Sequence, residues 1–131
     1  MDQSLFDSIR QIFARHPEIR LAMLFGSLAA DRARHDSDLD LAVAAEQPLT
    51  AAERVGLIAE LAEAIGRPVD LIDLHVVGEP LLGQILKRGR RILGSNGAYA
   101  ELIKRHLFEE ADFMPYRRRI LAERRRAWIG K

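Results

Sequence analysis

The chain has no cysteine. That excludes a disulfide scaffold, a thiolate zinc site and a Cys nucleophile. Its four histidines, His16, His35, His75 and His106, are scattered and have no metal-ligand spacing. Aromatic residues make up only 6%. No apolar run approaches the ~20 residues of a bilayer span. The start, MDQSLFDSIR, lacks the basic-then-apolar order of a secretory signal. A cytoplasmic protein that does not enter a membrane is therefore expected. Overall charge is also nearly absent, at +1.

What is there points to a folded domain. The 131 residues are 48% hydrophobic and 30% charged, which excludes a disordered chain. The near-zero charge hides an asymmetry. Residues 1–98 carry 11 Lys/Arg against 14 Asp/Glu, and residues 99–131 carry 9 against 5. The basic tail hints at an acidic partner, nucleic acid or a self-contact.

Leu5, Ile9, Ile12 and Phe13 form the stripe of an amphipathic helix over residues 2–16, with Asp2 or Ser4 as cap and Pro17 as stop. Residues 20–25 read as a buried strand closed by Gly26-Ser27, and residues 39–45 as a second strand. Thr50 and Glu53 make a capping box for a helix bearing Val55, Leu57, Ile58, Leu61, Ala62 and Ile65, which Gly66 ends. A third strand spans residues 68–74, with Pro68 first. A short helix over residues 79–88, a short edge strand at 91–93 and a loop at 94–97 follow. Tyr99, Leu102, Ile103, His106, Leu107, Ala111 and Met114 form one further helical stripe. Pro115 breaks it, and Tyr116, Ile120, Leu121 and Trp128 form another. Strands alternating with helices predict an α/β (α+β) fold, a small mixed sheet with flanking helices. Residues 1–97 are expected to form the main domain. Residues 98–131 form a C-terminal helical extension packed on it or on a partner.

The chemistry concentrates in Gly26-Ser27 and, ten residues later, Asp38-Leu39-Asp40. Two acids two apart on a strand share a face, while Leu39, Leu41 and Val43 turn toward a core. Adjacent carboxylates repel, and a divalent cation resolves the conflict. A glycine just after a strand lets a backbone approach phosphate closely. A third acid, Asp70, interrupts the apolar strand VDLIDL, and Asp73 lies on the opposite face.

The joint pattern Phe25-Gly26-Ser27, Asp38-Leu39-Asp40-Leu41 and Val69-Asp70-Leu71 resembles the DNA polymerase beta nucleotidyltransferase superfamily, in particular its minimal nucleotidyltransferase (MNT) group. The resemblance covers roughly residues 5–95. It implies a polymerase-beta-like fold with Gly26 and Ser27 at the phosphates of a nucleoside triphosphate. Asp38 and Asp40 would hold two Mg²⁺ ions. Asp70, favoured over Asp73, would complete the site and help deprotonate the attacking hydroxyl. Many members read Gly-Ser-x-Ala-Arg-Gly, whereas this chain has Ala30 and Asp31 in the last two places. Arg32 or Arg34 would then supply the missing cation.

Chains of this size resemble the antitoxins of HEPN/MNT toxin–antitoxin pairs. That implies transfer of AMP from ATP onto a tyrosine of a HEPN-family toxin. A contact-only antitoxin and a small-molecule nucleotidyltransferase are the alternatives. A homo-oligomer stays open, and nucleic acid is not favoured as partner. The arginine triplets 117–119 and 124–126 read either as a solvated helix or as a docking arm, and fan too widely for a narrow phosphate stripe.

Overall fold

The computed structural model describes residues 3–26 and 38–111. A four-stranded mixed sheet in the order β3-β2-β1-β4 forms its centre. The strands are β1 (Ile19–Phe25), β2 (Leu39–Ala45), β3 (Val69–Asp73) and β4 (Arg90–Leu93). β1 is antiparallel to both β2 and β4, and β2 runs parallel to β3. The parallel pair requires a crossover, which α2 (Ala51–Ile65) supplies. Among the described residues, no helix is long and apolar enough to cross a membrane.

Both faces of the sheet are covered. α1 (Gln3–Phe13) and α2 bury Phe6, Ile9, Ile12, Leu57 and Leu61 on one face, against Leu24, Leu39, Leu41, Val43 and Leu71. On the other face, α3 (Leu81–Arg88) and α4 (residues 96–111) bury Leu82, Ile85 and Leu102 against Leu21, Met23, Ala42 and Leu74. Period-two alternation along β2 assigns Leu39, Leu41 and Val43 to the first core. Asp40, Ala42 and Ala44 thereby face the second layer. In β1 the alternation is broken. Ile19 serves the first core and Leu21 the second, because the register slips between them. An extra residue in a ladder switches the side to which its successors point.

The ends of the elements follow local chemistry. Thr50 Oγ1 accepts the Glu53 N–H at 3.1 Å, and the Glu53 carboxylate accepts the Thr50 N–H at 3.1 Å. Gly66 stands at φ 74 and donates its N–H to Ala62 O at 2.9 Å. β3 starts one residue later than the sequence suggests, yet the Pro68 carbonyl still accepts the Leu39 N–H at 2.8 Å.

Several expectations are corrected. Ser4 lies inside α1 rather than capping it, and α1 ends at Phe13, well before Pro17. Its last turn tightens instead, with the N–H groups of Arg15 and His16 bonding to Ile12 O and Phe13 O. His16, just past that turn, has its Nε2 2.7 Å from Glu60 Oε2. α4 begins inside the expected loop because Ser95 Oγ accepts the Ala98 N–H and serves as N-cap. Its apolar stripe is split. Leu102 and Tyr99 pack on the sheet, and His106 Nδ1 sits 2.5 Å from Glu79 Oε1. Leu107 stays 59% exposed, and Ile103 and Val55 are exposed as well. One helix face spans about a third of the circumference, so residues flanking a buried stripe rotate outward. Met114, Tyr116, Ile120, Leu121, Trp128 and both arginine triplets lie outside the described residues.

Candidate active site

The carboxylates meet at one end of the sheet through register. Asp40 is paired with Asp70 across the parallel β2–β3 ladder. Directly paired residues share a face at a strand spacing of about 4.8 Å. Asp38 stands just before β2, two residues from Asp40, and is exposed. Phe25, the last residue of β1, is the antiparallel partner of Asp40 on the other side.

Gly26 follows at φ 75. A Cβ on Gly26 would overlap the Asp40 carboxylate, at 3.0 Å from its Cγ. Two independent constraints therefore demand glycine here, the left-handed backbone and the contact. The chain leaves β1 pressed against Asp40, so any group bound beside the Gly26 backbone also lies beside that carboxylate.

The electrostatics are strained in the manner expected of a ligand site. Partial burial first, then the fields of Asp70 and Asp38, push the Asp40 carboxyl above its ordinary value. Among the described residues none of the three acids forms an ion pair or hydrogen bond. No three His, Cys, Asp or Glu side chains there are arranged as a ready-made metal cage. Mg²⁺ does not require one. It takes one or two carboxylates and fills its octahedron with water and phosphate oxygens. Unpaired, mutually repelling hard-oxygen donors fit that ion and do not fit zinc.

Asp73 has a different surrounding. It is 4% exposed. Its Oδ2 accepts the Leu49 N–H at 2.8 Å and its Oδ1 the His75 N–H at 2.9 Å. The carboxylate ties the loop before α2 to the turn after β3 and has no open side for a ligand. Sequence parity already separates Asp70 from Asp73, but not the task each performs. Ser27, Ala30, Asp31, Arg32, Arg34 and His35 lie outside the described residues. The contact between Gly26 and Asp40 escaped sequence reasoning, since only the β1–β2 register creates it.

Comparison with known proteins gives a consistent picture. A family model described as polymerase beta, nucleotidyltransferase, matches residues 7–98. The protein adenylyltransferase MntA of Shewanella oneidensis is 34% identical over 79 residues. That match covers 60% of this chain and only 57% of the relative. Among solved structures, a chain of a toxin–antitoxin crystallised with AMP-PNP superposes with a TM-score of 0.80 at 25% identity, over 90% of this chain and 96% of that one. A chain of the complex between the tri-AMPylated Shewanella oneidensis HEPN toxin and its MNT antitoxin superposes with a TM-score of 0.77 at 25% identity, over 94% and 98%.

Proposed function

The chain belongs to the polymerase beta nucleotidyltransferase family, and from that premise we propose that it is a protein adenylyltransferase and antitoxin, moving AMP from ATP onto a tyrosine hydroxyl of a HEPN-family toxin. One observation carries the reading. Asp40 and Asp70 stand opposite each other on β2 and β3, with Gly26 against Asp40. The relative is named as an adenylyltransferase, and similar structures hold AMP-PNP or an AMPylated HEPN toxin, which supports ATP as donor and such a toxin as acceptor.

The proposed division of labour is as follows. Gly26 and Ser27 receive the β- and γ-phosphates, with Arg32 as a further cation. Asp38 and Asp40, completed by Asp70, hold two Mg²⁺ ions, which when bound neutralise the triphosphate and ease ionisation of the hydroxyl. The tyrosine oxygen attacks the α-phosphorus in line. The new O–P bond forms as the bond to the β-phosphate oxygen breaks, and pyrophosphate leaves. Asp70, exposed at the strand start, takes the hydroxyl proton.

Labelled ATP, Mg²⁺ and the toxin encoded beside this gene provide the test. Wild type transfers label to the toxin and silences it. Asp38→Ala with Asp40→Ala lowers transfer by on the order of a thousandfold or more while the fold is kept. Full neutralisation by the double variant, with no label on the toxin, would mean that the antitoxin works by contact alone.

A further inference from the structure

We propose that Lys87 and Arg88 form a cationic platform for the polyphosphate tail of the nucleotide. The inference rests on the nucleotidyl-transfer reading and adds a direction to it. The α-phosphate lies over the acids of β2 and β3, and the β- and γ-phosphates run across the end of β1 toward β4.

The sheet order supports that direction. β3, β2, β1 and β4 lie side by side. At one end they present, in turn, Asp70, Asp40, the Phe25–Gly26 step and Arg90. Arg90 is paired with Leu24 and so faces the first core side, away from Asp40, which leaves it outside the platform. α3 lies on the sheet face that carries Asp40 and ends at this same place. A Cβ on Gly89 would meet Leu24 O and Met23 Cε, each at 3.2 Å. The last turn of α3, with Lys87 and Arg88, is thus held beside the strand whose next turn is Gly26.

Their charges are unmatched. Arg10, Arg15, Arg20 and Arg105 each have a carboxylate partner. Lys87 and Arg88 are exposed and, like Arg54 and Lys104, have no side-chain ion pair or hydrogen bond among the described residues. Cations in a last helical turn also offset the helix dipole, and Lys87 and Arg88 do so here. That role does not account for their place at the sheet end where Asp38, Asp40 and Asp70 also lack partners among the described residues. Acids matched to metal, glycine matched to backbone approach and cations matched to phosphate together complement a metal-bound triphosphate along its length.

AMP-PNP with Mg²⁺ and AMP with Mg²⁺ are titrated into wild type, Lys87→Gln/Arg88→Gln, Arg90→Gln and Arg54→Gln. Arg54, a cation without a partner among the described residues, stands at the start of α2 beyond the opposite end of β2 and controls for net charge. The double variant is expected to weaken AMP-PNP at least tenfold and leave AMP unchanged. The deficit shrinks as salt rises. Arg90→Gln, on the opposite face, and Arg54→Gln change neither ligand. The two single variants, Lys87→Gln and Arg88→Gln, repeat the test if the double variant unfolds. Equal losses for AMP and AMP-PNP, or none for either, overturn the proposal. So does unchanged AMP-PNP affinity with lost toxin binding, which would make the patch a docking site for the acceptor. Failure of wild type to bind AMP-PNP at all removes the nucleotidyl-transfer reading itself.

Discussion

The two ends of the sheet treat charge in opposite ways. At the end where β1 begins and β3 finishes, several charges are matched. Asp73 is capped by two backbone N–H groups. Glu60 is held by His16 and Arg15, and Arg20 pairs with Glu46. At the other end, among the described residues, Asp38, Asp40 and Asp70 stand without partners, and so do Lys87 and Arg88. Folding draws its stability from the first kind of charge. The mutual repulsion of the acids raises the free energy of the empty protein, so their use lies in what they bind.

The comparison can be broken by substitution. The largest stability effect belongs to the matched end. Asp73→Ala strands the Leu49 and His75 N–H groups and is expected to cost about 2–4 kcal/mol in chemical denaturation. Gly26→Ala comes next, at about 1–3 kcal/mol, from backbone strain and overlap with Asp40. It differs from Asp73→Ala in also displacing the Asp40 carboxylate, so nucleotide affinity falls with it.

Asp40→Asn should do the reverse of Asp73→Ala. The raised value of Asp40 means that its contribution to stability is full below its ordinary 3.8 and is lost as pH rises through the folded value. Removing the charge therefore stabilises the metal-free protein at neutral pH, by under about 1 kcal/mol because the group is mostly solvated. Thermal melts at pH 7 read this directly, and a lowered melting temperature would contradict it. The smallest effect is at Glu60, where the His16 hydrogen bond, ahead of the nearby charges, lowers the carboxyl below its ordinary 4.5. That contribution is present above 4.5 and lost as pH falls through the folded value. Glu60→Gln should flatten the acid limb of the stability curve and leave its neutral part nearly unchanged.

Much of this was legible in the sequence because it rests on local rules. Strand parity gave Asp38 and Asp40 a common face and separated Asp70 from Asp73. The Thr50–Glu53 box and Gly66 marked both ends of α2. What escaped is non-local. The pressure of Gly26 on Asp40 depends on the Phe25–Asp40 pairing. The structural duty of Asp73 depends on Leu49, twenty-four residues away. Lys87 and Arg88 read as an ordinary helix end until the sheet order brings them beside the acids. The outward turn of Ile103 and Leu107 is set by which flank of α4 meets Leu21 and Met23. A stripe on its own does not encode that choice.

Asp70 and Asp73 are three residues apart on one strand and belong to the two opposite regimes of charge. The most direct measurement is the single-turnover rate of AMP transfer to the toxin, compared between Asp70→Asn and Asp73→Asn and normalised to folded protein. The account predicts a loss of at least about a hundredfold for Asp70→Asn with stability kept, and a near wild-type rate for Asp73→Asn with stability reduced. Equal rates in the two variants, or a larger loss of rate for Asp73→Asn, would contradict it.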